Sequence, residues 1–413
     1  MITYIADMLF LTLLIFHLSS IMTSSAPLSP LSCEKHLFSL DDDVHYLNCA
    51  YMSPLLNSVT LAGVEGVLVK QKPYRVTTEH FFERVEDFRT KCAELLCTPH
   101  RMHCVLIPSV SYGMGIVAKN LRTEPGQNII ILHDQFPSNV YVWQKFCAEK
   151  NLELRIVAPP PDTEHRGKSW NERLLEAIDN KTIMVSMEHI HWTDGTKFEL
   201  SDIRMRTREV GALLVIDGTQ SLGAYPLDVS ALDVDVVIAG SYKWMMGPYG
   251  LGIAYFSDYF LNGQPLEEGW ITREGSENLA LLTDYTDHYK PAMLRYEMGE
   301  RSSFALVPML NAALDQLNRW QPERVQAYCE DLTHPYHADL CSMGFTVEDT
   351  DYRASHLFGI RTPASLNPER LMEELQRKKI YVSLRSGAIR IAPHVYNDAS
   401  DMDALMEALR ECV

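Results

Sequence analysis

From about Tyr46 onward the chain alternates two kinds of apolar pattern. Short continuous apolar runs recur at residues 104–107, 128–132, 152–157, 183–187, 212–216 and 234–239. Runs this short and this apolar predict strands buried on both faces. Between several of them, apolar residues return at helical spacing over residues 81–96, 143–150, 170–178 and 203–210. Buried strands alternating with helices predict an α/β fold, a mainly parallel central sheet with helices on both faces. After Pro291 the rhythm changes: a long helix over 306–320, strands at 380–382 and 389–391, and a closing helix over 402–410. That pattern predicts a smaller α+β domain, joined by the N-terminal segment around residues 45–59. The expected division is a large domain over residues 60–290 and a small one from residues 33–59 and 291–413. The Pro-rich stretch at 158–162 reads as a surface loop and not as a boundary.

Composition narrows the class of molecule. With 46% hydrophobic and 22% charged residues in 413, the chain reads as an ordinary globular protein. A formal net charge of −17 argues against nucleic acid or an anionic membrane as partner, since either needs a concentrated basic surface. The nine cysteines are dispersed without a CxxC spacing, which reads as reduced thiols and not a disulfide framework. The leader, residues 1–32, is ambiguous. Its apolar run at 8–18 has the length of a secretory h-region or a short anchor, but no Lys or Arg precedes it and Asp7 does. A start at Met22 is the third reading, and a cytoplasmic protein is the expectation.

The chemistry concentrates between Gly211 and Gly252. One apolar strand ends in Asp217, with Gly218, Thr219 and Gln220 following, and the next ends in Gly240, Ser241, Tyr242 and Lys243. Open α/β sheets bind ligands at the C-terminal ends of their strands. A carboxylate and a lysine at two such ends suit pyridoxal 5'-phosphate (PLP). That cofactor needs a lysine for its Schiff base and a carboxylate to keep its ring nitrogen protonated. Gln220 is within reach of the ring's phenolic oxygen. Singly, Asp217 reads as a strand-end residue and Lys243 as a solvated one. Together, with the glycine-rich turn Gly247, Pro248, Tyr249, Gly250, Leu251 and Gly252, they favour the cofactor.

Two further segments add to this. Pro108 to Gly115 (PSVSYGMG) follows a strand and opens a helix, where free amides and a hydroxyl can cradle a phosphate; a plain strand-to-helix turn is the competing reading. Arg390 stands alone inside the apolar run Ile389 to Pro393, and a buried arginine needs an anionic partner. That partner is a substrate carboxylate or, on the competing reading, a structural Asp or Glu.

These residues resemble the class V aminotransferase family of fold-type-I PLP enzymes, over nearly the whole chain from Tyr46 to Arg410. The carriers are Asp217 to Gln220, Ser241 to Lys243 and the glycine-rich turn. The resemblance implies a PLP-binding large domain, a small C-terminal domain, and a homodimer with active sites at the subunit interface. It implies Lys243 as the Schiff-base lysine, Asp217 as pyridinium partner and Gln220 as ligand of the phenolic oxygen. Ser241 and Tyr242 would lie beside the phosphate, with Val110 and Ser111 on the other side. Phe136, in a loop that resembles that of kynureninase, would stack on the cofactor ring, although a core phenylalanine is the alternative. Arg390 would bind the substrate α-carboxylate, with Arg385 assisting. Trp270 would cross to the neighbour's cofactor, residues 295–302 (RYEMGERS) would form a further interface segment, and His191 and Trp192 would face the substrate.

Some features point elsewhere. Cys97, His100, His103 and Cys104 invite a zinc reading, but Pro99 and the strand alternation at Cys104 separate their directions, so no metal is expected. His189 and His191 share a strand face without a third ligand. Cysteine desulfurases of this fold carry a nucleophilic cysteine shortly before the carboxylate-binding arginine, and residues 382–390 contain none. The sequence therefore favours transamination or a related Cα-proton reaction such as racemisation or epimerisation. A kynureninase-like C–C hydrolase or another lyase comes second, and a non-catalytic PLP-fold binding protein stands as the reading of another class.

Overall fold

The computed structural model describes residues 29–160, 165–385 and 387–413. The apolar run at 8–18, Asp7 and Met22 lie outside the described residues, as does the end of the Pro-rich stretch at 158–162. Residues Ser32–Val413 form one compact unit.

Among the described residues, seven strands build the central sheet: β1 (Cys104–Ile107), β2 (Asn128–Leu132), β3 (Glu153–Val157), β4 (Thr182–Glu188), β5 (Leu213–Asp217), β6 (Val236–Gly240) and β7 (Gly252–Phe256). Their spatial order is β1-β7-β6-β5-β4-β2-β3. Strands β2 to β6 run parallel, while β7 lies antiparallel between β6 and β1. This is the mixed α/β sheet expected from continuous apolar runs, with one addition. The last residue of the glycine-rich turn, Gly252, opens this strand, which returns beside β6. Gly252 permits this close pairing, because a Cβ there would stand 2.6 Å from the Ala239 carbonyl oxygen.

The helices between the strands cover the sheet. Tyr141–Lys150 buries Trp143 and Phe146 against Ile129, Ile131 and Met184 in the principal core. Helix Val110–Asn120 starts where Ser109 Oγ accepts the Tyr112 N–H at 3.3 Å, a side-chain N-cap. The long helix Leu306–Trp320 buries Val307, Leu310, Leu314 and Leu317 at 3- and 4-residue spacing. It packs on helices Asn57–Val69 and Glu83–Leu95. At Gly66 that approach leaves no room for a side chain, since a Cβ would meet the Phe304 carbonyl oxygen at 2.1 Å.

A second core gathers Leu47 with Phe358, Ile360, Ile389, Ile391 and Leu405. It lies under a four-stranded antiparallel sheet in the order Ser383–Arg385, Ala388–Ile391, Phe358–Arg361 and Thr346–Val347. The N-terminal segment enters this region through a short parallel pair, His45–Tyr46 with Ile380–Tyr381.

The stretch RYEMGERS turns two of its charges inward. Glu297 and Arg301 are each 1% exposed, and Arg89, at 0%, donates to Glu297 at 2.6 Å. Arg301 pairs with the same carboxylate. Removing one member of a buried ion group leaves the other charges uncompensated, a loss of about 3–5 kcal/mol. We expect Glu297→Gln to lower the free energy of urea unfolding by about 3 kcal/mol, and an unchanged midpoint would refute this account of the cluster.

Candidate active site

Strand β2 is followed in the chain by β3 on one flank of the sheet, while β4, β5 and β6 extend in the opposite direction. The gap between β2 and β4 is thus a topological switch point, where loops leave the strand ends in opposite directions and open a crevice. A cavity of about 260 Å³ lies there, lined by residues that include Val110, Ser111, Phe136, Trp192, Asp217, Gln220, Tyr242 and Lys243. Eight of the residues singled out in the sequence, from segments far apart in the chain, therefore meet at one place.

Each is held by its own element. Asp217 closes β5, and its Oδ1 accepts the Thr219 N–H at 2.9 Å. Lys243 follows β6 by three residues and is 6% exposed. Its amine makes no hydrogen bond or ion pair among the described residues; the Phe136 and Tyr242 ring centroids stand 5.5 and 5.6 Å away. Gln220 is oriented from behind. Trp244 Nε1–H donates to its Oε1 at 2.8 Å, and its Nε2 donates to the Ala50 carbonyl at 3.2 Å. One amide N–H is left to point elsewhere. Val110 and Ser111 are the first two residues of their helix, so their N–H groups are not used by its hydrogen-bond ladder.

Two of the expected residues, Ser241 and His191, turn away from the cavity, and two more, Trp270 and Arg390, stand outside its lining. Ser241 is fully buried and donates to the carbonyls of Pro248 and Leu251 at 2.7 and 2.8 Å, so its hydroxyl faces away from the cavity. The glycine-rich turn needs that hydroxyl to satisfy its own carbonyls. His191 is likewise turned away. Its Nδ1 partners Thr193 Oγ1 at 2.7 Å, its Nε2 partners the His133 carbonyl at 3.0 Å, and its ring packs on Trp170. Both nitrogens are committed, and it is Trp192, one residue on, that reaches the cavity wall. Trp270 is 42% exposed, stands edge-on to Phe81, and lines a separate surface pocket. Arg390 is 1% exposed and lies behind Trp192, donating to its carbonyl at 2.7 Å and to Ser383 Oγ at 3.4 Å. No carboxylate of the described residues pairs with it, and its Nε has no partner. Arg385 stands 5.7 Å over the Trp192 ring.

Sequence reasoning missed Glu188, Thr219, Ser138 and Tyr249, which also line the cavity. Thr219 was legible as part of the loop after Asp217; its Oγ1 accepts the Gly240 N–H at 3.2 Å and ties the two strand ends together. Of the zinc-like spacing, Cys97 is exposed on a turn with φ 52°, whereas Cys104 is buried in β1. The described His, Cys, Asp and Glu groups that do gather, Glu330, His334 and His337, fall within 4.8 Å of one another. Arg353 already sits on that carboxylate and on His337 Nδ1.

Burial governs the charges. It pushes Asp217 upward, and it pushes Glu188 up to about 8, with Asp217 beside it adding to the rise. Lys243 is lowered to about 8, by burial first and by Arg390 second. These residues fit PLP: an uncommitted buried amine, a buried carboxylate, free helix-start amides for a phosphate, and an aromatic ring at the cavity wall. The reactive form of Lys243 is the free amine, and a pKa near 8 leaves roughly a tenth of it free at pH 7, far more than for a solvated lysine. The rate at which apo-protein takes up PLP covalently should rise with pH and level off above about 8, as followed by stopped-flow absorbance. A rate still climbing steeply at pH 10 would show that Lys243 keeps an ordinary lysine pKa.

A model of the family described as Aminotransferase class-V matches residues 71–405. A cysteine desulfurase of Shigella sonnei is 28% identical over 255 residues, 61% of this chain and 60% of its own length. The match thus spans about 60% of the length of that curated relative. A crystal structure of the Escherichia coli cysteine desulfurase CsdA has a TM-score of 0.76 at 19% identity, covering 91% of this chain and 96% of its own. The cystine C–S lyase C-DES, solved with its product cysteine persulfide, has a TM-score of 0.79 at 20% identity, with 90% and 98% covered. A variant of C-DES carries glycine covalently linked to the PLP cofactor. The match over 71–405 takes in every strand of the central sheet and every residue of the cavity: the chain belongs to the class V aminotransferase family.

Proposed function

We propose that this chain is a PLP-dependent enzyme that removes the Cα proton of an amino-acid-like substrate, and that it transfers the amino group or carries out a related Cα-proton reaction. The observation that carries this reading is the pairing of Lys243 and Asp217, both buried, on one cavity at neighbouring strand ends. When bound, PLP supplies an electron sink for the bond broken at Cα. The chain's own residues do the rest. Lys243 Nζ is the attachment point and afterwards takes and returns the Cα proton. Asp217 holds the proton on the pyridine nitrogen, and the spare Gln220 N–H meets the phenolic oxygen. The Val110 and Ser111 amides, with the Thr219 and Tyr242 hydroxyls, serve the phosphate. Phe136 covers the ring and excludes water from that face. Arg390, buried without a carboxylate partner, receives the substrate's α-carboxylate.

A protein-thiol persulfide relay lacks support. Arg385 and Ala388 pair across a two-residue connection, which leaves no loop, and residues 382–390 contain no cysteine. Cys49 is fully buried, and burial pushes its thiol up to about 12, so it is a poor nucleophile. The cysteine desulfurase relatives favour a second reading, a lyase that breaks the bond beyond Cα and needs no such thiol.

The wild type, reconstituted with PLP, should show a visible absorption band that Lys243→Ala lacks, and borohydride should fix the cofactor mass on the peptide containing Lys243. Absence of the band in the wild type would sink the proposal. Amino acids titrated into the band then separate the outcomes. A keto acid with the aminated cofactor marks amino transfer, an inverted amino acid marks isomerisation, and ammonia, alanine or sulfide marks a lyase.

We also propose a homodimer. The exposed Trp270, Tyr249 and Leu61, at 42%, 72% and 60%, are large apolar groups left uncovered in one chain. Light scattering should give a mass twice the 47.0 kDa of the chain; a monomer at micromolar concentration would exclude it.

A further inference from the structure

Glu188 is a buried acid that the chemistry above does not use. It closes β4 at the switch point, 2% exposed, and stands directly across from Asp217 in the β4–β5 register. Placing a second carboxylate beside the first is unfavourable, and no arginine, lysine or histidine among the described residues forms an ion pair with it. What it does hold is backbone. Its Oε1 accepts the Phe136 N–H at 2.9 Å and its Oε2 accepts the Trp192 N–H at 2.6 Å. Those residues belong to the loops after β2 and β4, which leave the switch point separately. Their rings meet edge to face, with centroids 5.5 Å apart at 89°.

The surrounding contacts fix Glu188 in turn. Gln135 Oε1 accepts the Glu188 N–H at 3.1 Å, and Gln135 Nε2 donates to the Ser186 carbonyl at 3.2 Å. On the far side of the same peptide unit's residue, the Trp192 carbonyl accepts from Arg390 at 2.7 Å. Trp192 is therefore gripped by a buried carboxylate at its N–H and a buried guanidinium at its C=O. The Arg390 bond is charge-assisted and stronger than a neutral one, and a residue tied at both its N–H and its C=O keeps a single position.

We infer that Glu188 is a positioning residue: one carboxylate, bonded to the Phe136 and Trp192 amides, pins the two aromatic walls of the cavity to each other across the switch point. It acts through those walls and not on the reacting atoms. The inference rests on the PLP reading only for its consequence on cofactor affinity. The clamp itself is a property of the protein without cofactor.

Hydrogen exchange on the apo-protein reads the clamp directly, at residues 133–140 and 189–195. In Glu188→Ala, exchange should rise about tenfold or more at both segments, while the β5 and β6 strands keep wild-type protection. Glu188→Gln retains one carbonyl acceptor, so exchange should rise at one segment only; this variant carries the test if the alanine variant fails to fold. PLP affinity, measured by equilibrium titration, should weaken about tenfold in Glu188→Ala. Exchange within twofold of wild type at both segments overturns the inference, even where affinity falls, because Glu188 would then act on the ligand and not on the walls. A wild type that takes up no PLP sinks the proposed function and leaves the exchange result to decide the clamp alone.

Discussion

An amine taken out of water without a counterion in contact is the constraint around which the rest of this molecule is arranged. Lys243 loses hydration on burial and regains only part of it from Asp217 and Glu188, so its charged form is disfavoured. The two carboxylates suffer the same loss, and Asp217 raises Glu188 further. Three ionisable groups thus share a dry space in which none can settle its charge independently. Such an arrangement is unfavourable for a chain that only has to fold. It becomes useful when a ligand arrives with a positive ring nitrogen and a carbonyl carbon, because Asp217 and Lys243 then each meet a complement.

The fold supplies the rigidity this requires. Asp217, Glu188 and Lys243 all sit at or just past the ends of parallel strands whose residues are buried on both faces. Strand ends in a packed sheet cannot drift apart to relieve repulsion between carboxylates. Behind them, Trp244 fixes the Gln220 amide, and His356 Nε2 reaches the Gln220 carbonyl at 2.8 Å. The loop after β5 is held from below before anything binds above it. Far from the cavity, the buried cluster of Arg89, Glu297 and Arg301 ties helix Glu83–Leu95 to the segment preceding the long helix Leu306–Trp320.

Much of this was legible in the sequence where local pattern and chemistry coincide. The continuous apolar runs located β1 and β2 to the residue, because both strands are fully buried along their length. Asp217 and Lys243 stood out because a charge directly after such a run has few places to go. What was not legible depends on direction. Whether Ser241 or Thr219 offers its hydroxyl to the cavity turns on which carbonyls the glycine-rich turn leaves unsatisfied, and that is a three-dimensional question. His191 and Trp192 are adjacent in sequence, yet one faces Trp170 and the other the cavity, since the chain turns at that point. Strand β7 was hidden by its first residue, Gly252, which signals a turn locally and a close strand approach only in context. Glu188 went unnoticed just past the apolar run 183–187, because its partners are backbone amides and leave no signature in side-chain spacing.

The position of Arg390 connects these threads. An arginine buried behind Trp192, donating to a carbonyl and a hydroxyl only, retains an unpaired positive charge at the end of an antiparallel hairpin too tight to carry a catalytic loop. In a relay enzyme that hairpin would have to present a thiol. Here it presents guanidinium groups instead, Arg390 from within and Arg385 over the Trp192 ring. On the proposed function, the charge of the small sheet is the part that would meet an anion, and Lys243 the part that would react. That is why the proposed chemistry begins and ends at Cα, where the protein would have to hold a carboxylate still and move one proton.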